Sequence, residues 1–457
     1  MDVSVVILAA GQGKRMGSDL PKVLQPLAGR PLLAHVTDTV RILGPARICV
    51  VYGHGGERVK AAFTDEELVW VLQAEQLGTG HAVMQALPHL GADDVVLILC
   101  GDVPLVRAAT IEPLITAAET DKLAILTTNL VDPSGYGRIV RDIDSHVTAI
   151  VEEKDATDEQ KLITEINTGL MACRAQLLTS WLPRLKSDNT QGEYYLTDIV
   201  GCAIDDGVSV VPVNTDSPTE VLGINDKKQL AEAERNHQKS VTDVLMQQGV
   251  TMIDPHRVDI RGKLTCGRDV VLDINTIFSG DVVLGDDVQV GANTIISNAS
   301  VGAGTRILPN CIIDQTTIGA SCEIGPYART RPGVELDDQA KLGNFVEIKK
   351  SRIGMGSKVN HLTYIGDTTI GERVNVGAGT ITCNYDGANK HPTVIGDGAF
   401  IGSGVELVAP VNIGAGATIG AGATVSKDAP AGELTVERAR QKVIKGWQRP
   451  TKDKPGE

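Results

Sequence analysis

From residue 284 onward, aliphatic residues return every six positions: Leu284, Val290 and Ile296, then Val301, Ile307 and Ile313, then Ile318 and Ile324, then Leu336, Leu342 and Ile348. The series resumes at Ile353, Val359 and Ile365, at Ile370 and Val376, and ends with Ile395, Ile401, Leu407, Ile413, Ile419 and Val425. A period of six matches neither the 3.6-residue turn of a helix nor the simple alternation of a long strand. It describes short strands joined by sharp turns, none able to bury its own apolar residue, so the coils must stack into a solenoid around an aliphatic column. Three hexads make one triangular coil. Five-residue steps, as from Ile296 to Val301 and from Ile348 to Ile353, shorten a coil from 18 residues to 17 and keep its corners in register. Composition agrees: 49 glycines supply turns, and with only 3% aromatic residues the cores must be aliphatic.

The first part of the chain has another texture. Up to about Asn225, the runs V-S-V-V-I-L, R-I-C-V-V-Y, V-V-L-I-L-C, K-L-A-I-L-T-T and V-S-V-V-P-V alternate with amphipathic stretches. Continuous apolar runs are strands covered on both faces, which predicts a Rossmann-like α/β domain with a mostly parallel sheet whose ligands lie beyond the carboxyl ends of the strands. Residues 226–248 are rich in charged helix formers and end at Gly249, which predicts one linking helix. The expected domains are therefore 1–225, a linker at 226–250, and 251–457.

Charge and cysteine usage exclude several classes of partner. A formal net charge of −14 repels nucleic acid and anionic membranes, and no body-wide basic patch overrides it. The eight cysteines are scattered without any C-x-x-C pair, so neither a zinc site nor a disulfide framework is expected. The apolar run from Val5 to Ala10 follows an aspartate and is too short for a signal sequence or a membrane span, so the expected location is the cytoplasm.

Departures from the hexad pattern mark candidate chemistry. Where glycine is the rule, Arg331 follows Thr330 and Lys349 follows Ile348. Eighteen residues apart, they should stack on one corner about 4.8 Å from each other, and two cations that close call for an anion. One coil further on, the same corner carries Gly366 with Tyr364 just before it. After Thr382 the period breaks into C-N-Y-D-G-A-N-K-H-P-T-V, which should loop out of the prism. His361 lies on the strand approaching that edge. A lone histidine is more often structural, and a lone surface cation is often only solvated. Gathered together, these residues suit acyl transfer, with His361 as proton acceptor and the cations holding a phosphate.

Near the start, I-L-A-A-G-Q-G-K-R-M is neither a Walker loop nor a dinucleotide fingerprint. Alone it could be a tight strand-to-helix turn. With Lys14, Arg15 and Lys22 it becomes a phosphate cradle, since glycine admits backbone N–H groups to phosphate oxygens while the cations neutralise them. Asp102, in I-L-C-G-D-V-P-L, stands at a strand end where an oxygen ligand suits Mg²⁺, although it could also cap a helix.

The hexad pattern resembles that of the hexapeptide acyltransferases, which implies a left-handed parallel β-helix over roughly residues 251 to 430, in a superfamily whose solenoids are commonly trimers. In order along the chain, L-A-A-G-x-G-x-R-M, L-P-K, Q-A-E-Q-L-G-T-G-H-A, G-D-V-P-L, E-I-N-T-G and G-E-Y-Y-L-T-D resemble the sugar-1-phosphate nucleotidylyltransferases. Together the two halves look like the bacterial bifunctional N-acetylglucosamine-1-phosphate uridylyltransferase/glucosamine-1-phosphate acetyltransferases, over nearly the whole chain. That resemblance implies UTP and acetyl-CoA as substrates, Mg²⁺ as cofactor, a homotrimer, and a product feeding peptidoglycan and lipopolysaccharide synthesis. It implies that Leu8, Ala9, Ala10 and Gly11 contact the nucleotide while Arg15 and Lys22 steer its phosphates. Gln73, Gly78 and Thr79 would recognise uracil, with Cys100 and Gly101 adding main-chain contacts. Gly137, Glu152 and Asn167 would hold the sugar, and Asp102 and Asn225 the metal. In the second domain Arg331, Lys349, Tyr364 and Asn375 match acceptor-binding positions and His361 the general base. Ala378, Asn384, Tyr385, Ser403, Ala421 and Arg438 match acetyl-CoA and neighbouring contacts.

Lys14 stands where threonine is common in that family, and Cys100 where tyrosine is frequent. Beyond Arg438 the segment differs in detail but stays basic; it could close over the CoA phosphates or be only a solubilising tail, and past Trp447 it reads as the tail. Two rival readings are a single-activity pyrophosphorylase whose β-helix only assembles subunits, and a non-catalytic assembly subunit. Neither needs Arg331, Lys349 and His361 near one edge, nor the N-Y-D-G-A-N-K loop.

Overall fold

The computed structural model describes residues 2–11, 13–53, 56–64 and 67–449. Its chain divides into two compact units, Met1–Ser240 and Val241–Glu457.

In the first unit the apolar runs form a nine-stranded sheet. Its strands are β1 (Val3–Ala9), β2 (Arg47–Tyr52), β3 (Leu68–Leu72), β4 (Val95–Cys100), β5 (Leu123–Asn129), β6 (Arg138–Arg141), β7 (Val147–Val151), β8 (Glu165–Arg174) and β9 (Val210–Asn214). The main path runs β9-β5-β8-β4-β1-β2-β3, with β6 pairing to β8 and β7. Both faces are buried: Val5 and Ile7 of β1 join one apolar cluster and Val6 the other, all with no exposed surface. The sheet is mixed where a mostly parallel one was expected: β4, β1, β2 and β3 run parallel, as do β9 and β5, but β8 runs antiparallel to β4, β5 and β6, and β6 antiparallel to β7. Strand β8 was not among the five apolar runs, because polar E-I-N-T-G opens it. Parallel β4, β1, β2 and β3 all end on the same side, where Gly101 N–H bonds Leu8 O at 2.9 Å and Gln73 N–H bonds Tyr52 O at 2.8 Å.

The helix Lys227–Gln247 follows. Its early turns bond into the first unit, through Lys227 to Gln25 and Glu234 to the Ala28 N–H. Its last turns, at Val241 and Leu245, contribute to the aliphatic core of the second unit. No helix among the described residues is long and apolar enough to cross a membrane.

The second unit is a parallel β-helix, consistent with the left-handed form. Each strand pairs with the one a coil later, so Leu284, Val301, Ile318, Leu336, Ile353, Ile370, Ile395 and Ile413 stand in one column. Each is at most 3% exposed. The long step from Ile370 to Ile395 absorbs the excursion that begins at Asn384, so the column continues undisturbed above it. One corner takes a left-handed backbone at Asn275, Asn293, Asn310, Tyr327, Phe345 and Leu362, with φ between 48° and 64°. Asparagine tolerates that conformation, and the side chains of the first three bond one another at 2.9 and 3.3 Å. Tyr327 and Phe345 stack instead, with ring centres 5.1 Å apart, and both are exposed.

Candidate functional site

In the first unit a cleft of about 550 Å³ opens at the carboxyl ends of the parallel strands. Of the residues singled out from sequence, Leu8, Ala9, Ala10, Gly11, Lys22, Gln73, Gly78, Thr79, Cys100 and Asp102 line it. Gly78 must be glycine: its φ is +108°, and a Cβ there would fall 2.6 Å from Tyr194 O. That close approach lets Gly80 N–H bond Tyr194 O and the Thr79 hydroxyl accept from Leu196 N–H, at 2.8 and 3.0 Å. Gly101 is buried behind the wall, against Leu8 O. Burial pushes the Cys100 thiol up to about 12, so it lines the cleft as a neutral group and not as a nucleophile.

Lys22 bonds Asn225 Oδ1 at 2.7 Å and forms an ion pair with Asp102. The two oxygen donors already converge on one cationic atom, and hard oxygen donors suit Mg²⁺. No group of three or more His, Cys, Asp or Glu side chains gathers around a metal position among the described residues. A cation here would draw its other ligands from phosphate and water. Gly13 packs against Lys22, where an added Cβ would fall 2.7 Å from the Lys22 Cβ. Arg15 is exposed and outside the cleft wall, though close enough to act electrostatically on Tyr136.

Gly137, Glu152 and Asn167 form a second cluster. Asn167 N–H bonds Gly137 O at 2.8 Å, and a Cβ on Gly137 would sit 3.5 Å from the Glu152 carboxylate. Burial raises the Glu152 carboxyl above its usual range, opposed by the Thr197 hydroxyl that donates to it at 3.1 Å. Thr197 follows Leu196, so the cluster is tied to Thr79. Sequence reasoning missed Thr197, although it lies in the quoted G-E-Y-Y-L-T-D. It also left out Gln76 and Glu193 of the cleft wall, whereas Lys14, named with Arg15 and Lys22 as a cation of the phosphate cradle, does line the cleft.

In the second unit Arg331, Lys349 and Gly366 occupy successive levels of one corner, as the spacing predicts. Gly366 leaves room there for two neighbours, since a Cβ would lie 2.5 Å from the Tyr364 hydroxyl and 2.7 Å from Asn384 Nδ2. The excursion brings Lys390 against Lys349. That contact, with the charge of Arg331 adding to it, lowers Lys349 below an ordinary lysine. Asp386 braces the loop by accepting from the N–H groups of Ala388 and Asn389 at 2.8 and 2.6 Å and from His391 at 2.7 Å. Asn384 bonds Asp367, and the Tyr385 hydroxyl donates to Gly387 O. Lys390 was quoted in the loop motif but not singled out. It lies inside the break in the period, where counting sixes gives no position.

His361 stands at the preceding corner of the prism. It shares a strand, Lys358–Gly366, with Tyr364, but Leu362 turns the chain between them. The sequence reading gathered His361 and the cations along one edge. In a single chain they lie at opposite ends of one face, because three inter-corner residues intervene. His361 Nδ1 donates to Asn344 Oδ1 at 2.5 Å, and Nε2 has no partner among the described residues. Asn344 was not picked out, yet it lies 17 residues earlier, one coil below in register. Above His361 the same column carries Ala378, then Ser403 and Ala421, a track of small residues. Arg438 closes against Gly420 at its far end. Asn375 pairs with Lys358 and Phe400, on the face before His361 and away from Lys349. A cleft of about 450 Å³ opens on that face, between Asn344, His361, Lys341 and Lys358. The tail past residue 449 lies outside the described residues.

Residues 5–161 match the MobA-like NTP transferase domain, and residues 392–427 match the bacterial transferase hexapeptide repeat. A bifunctional protein GlmU of Aromatoleum aromaticum is 58% identical over 455 residues, covering the whole of both chains. Its counterparts in Azoarcus sp. and Ralstonia nicotianae are 57% and 56% identical over 452 residues, 99% or more of every chain.

Proposed function

This chain belongs to the bifunctional GlmU family, with an NTP-transferase domain ahead of a hexapeptide transferase domain, and from that premise we propose that it performs two successive steps of UDP-N-acetylglucosamine synthesis. Residues 251–457 acetylate glucosamine-1-phosphate with acetyl-CoA. Residues 1–225, joined through the 226–250 linker, then transfer UMP from UTP to the N-acetylated product and release pyrophosphate.

In the first step the neutral amine attacks the thioester carbonyl. Nε2 of His361 accepts the amine proton as the C–N bond forms, and the departing CoA sulfur takes a proton as the C–S bond breaks. Asn344 holds the ring with its proton on Nδ1. Arg331, Lys349 and Lys390 hold the acceptor phosphate, and Tyr364 and Asn375 the sugar. The track of Ala378, Ser403 and Ala421 gives the CoA arm a surface without protruding side chains, with Asn384, Tyr385 and Arg438 beside it. His361 and the cationic corner lie a face apart in one prism, and Tyr327 and Phe345 are exposed on the corner below His361. Both observations support a homotrimer in which neighbouring copies complete the acceptor site.

In the second step a phosphate oxygen of the sugar attacks the α-phosphorus in line, and pyrophosphate leaves. Lys22 and Arg15 meet the charge that develops on the leaving group. Asp102 and Asn225 would hold Mg²⁺, which when bound supplies neutralisation of phosphate charge. Leu8 to Gly11 and the main chain at Cys100 and Gly101 seat the nucleotide, and Gly137, Glu152 and Asn167 the sugar. Gln73, Gly78 and Thr79 read uracil. The substrates are made and used in the cytoplasm, and no nucleic acid or membrane takes part.

The observation that carries the reading is the convergence of Arg331, Lys349 and Lys390 at one corner of a solenoid attached to a nucleotide cleft. Thiol release from acetyl-CoA should depend on glucosamine-1-phosphate, and pyrophosphate release should depend on UTP, N-acetylglucosamine-1-phosphate and Mg²⁺. Acceptor-independent thiol release, or none, would overturn the acetyltransferase half.

A further inference from the structure

Gln73 is 2% exposed, yet it lines the nucleotide cleft. Its Nε2 lies 3.0 Å from Gly78 O and 3.1 Å from His81 Nδ1. A carbonyl oxygen can only accept, so the atom facing Gly78 O must be the amide nitrogen. Its second hydrogen then points at His81 Nδ1, which has to accept with its lone pair. That requirement places the ring proton on Nε2. Gln85 Nε2 lies 3.1 Å from His81 Nε2; with the ring proton there two donors would face each other, so the Gln85 amide has to be turned over to present its oxygen to the ring N–H. A chain of hydrogen bonds thus runs Gln85, His81, Gln73, Gly78, with each partner's donor or acceptor role set by the next.

The consequence falls on the remaining atom. With both Nε2 hydrogens engaged, Gln73 Oε1 is the group left for the cleft, and it takes no hydrogen bond from the described residues. An acceptor fixed in that position suits a ring N–H, as at N3 of uracil, and repels the N3 lone pair of cytosine. Were the amide free to turn over, it could serve either base.

We propose that His81, as the second acceptor beside Gly78 O, is a positioning residue for nucleobase selection, holding the Gln73 amide oxygen toward the base so that uracil is taken and cytosine refused. His81 need not touch the nucleotide. The inference rests on the reading that Gln73 faces the base, and it adds the group that decides which end of the amide does so.

The test compares kcat/KM for UTP and CTP in pyrophosphate release by the full-length enzyme. His81→Ala and His81→Phe should lower the UTP-to-CTP ratio about tenfold, the worth of one hydrogen bond. His81→Asn, whose Oδ1 can accept in place of Nδ1, should restore the ratio to within about threefold of the parent. A merely structural role would lower both rates together and leave the ratio alone, so an unchanged ratio in His81→Ala overturns the proposal. Equal loss in His81→Ala and His81→Asn overturns it as well. Gln73→Ala separates the two layers. If it collapses the ratio while His81→Ala does not, the reading of Gln73 stands and the role of His81 falls. If Gln73→Ala leaves the ratio intact, the reading of Gln73 falls and takes the proposal with it.

Discussion

Lys22 and Asn225 touch across 203 residues of chain, whereas His361 and Asn344 touch across 17. The first site is assembled from loops at the ends of several strands, so its geometry depends on the whole sheet being folded. The second is assembled from neighbouring coils of a repeat, so its geometry depends on local register. One lesson concerns fragility. In the sheet domain a contact is lost when any of several distant loops moves, while in the solenoid it is lost when the count of residues per coil changes. Another concerns independence, because the residues of each site come from its own compact unit.

Reciprocal variants test that independence with the largest effects. His361→Ala should cut acetyl transfer by about a hundredfold to ten-thousandfold, the range for a missing general base, with pyrophosphate release within about twofold of the parent. Asp102→Ala should do the opposite, costing at least the roughly 10–100-fold that even a supporting metal-site partner costs. Thiol release and pyrophosphate release measured on the same preparation decide it. Equal loss of both activities in either variant would break the contrast between the two sites.

Much of this was legible in the order of residues, for reasons that differ between the regions. Every aliphatic position counted from Leu284 to Val425 is buried, because a solenoid repeats one environment and its period is its structure. Arg331 and Lys349 were legible for the same reason, as exceptions at a known position of the repeat. Lys390 was not, since the excursion from Asn384 has no period, and only the folded loop brings its ammonium to Lys349. The separation of His361 from that corner also escaped the sequence reading, because six-residue counting marks corners without saying how far a side chain lies from the next one. In the sheet domain no repeat exists, so Asp102 and Lys22 were found through motifs and strand ends. The antiparallel course of Glu165–Arg174 and the anchoring of Glu152 by Thr197 depend on long-range pairing that a local pattern does not encode.

A smaller effect sharpens the solenoid side of the comparison. Arg331→Ala or Lys390→Ala should raise the KM for glucosamine-1-phosphate by about 10- to 100-fold, since each removes a charge-assisted contact to phosphate. Pyrophosphate release should not change. The double variant should lose less than the product of the two, because both cations act on one anion. Additive loss would mean that they serve different groups.

Smaller still is Asn344→Ala, which removes the partner of His361 Nδ1 but not the base. We expect a fall of about tenfold in kcat for acetyl transfer, one hydrogen bond's worth, with the KM for the acceptor unchanged. A rise in KM alone would assign Asn344 to substrate binding and remove it from the support of His361.

The smallest predicted effect is a displacement along the pH axis, and its sign follows from the crowding at the cationic corner. The Lys390 ammonium disfavours the charged form of Lys349, so Lys349 loses its proton at a lower pH than an isolated lysine would. In the parent enzyme, acceptor binding should therefore weaken on an alkaline limb as Lys349 becomes neutral. Removing Lys390 lifts that pressure, and the Lys349 pKa returns upward. Lys390→Ala should bind the acceptor more weakly at every pH, yet its alkaline limb should begin at a higher pH than the parent's. Profiles of log(kcat/KM) for glucosamine-1-phosphate against pH read this directly. An unmoved limb, or one displaced to lower pH, would mean that the two ammonium groups do not share one anion, and the solenoid corner would then lose its claim to be the phosphate site.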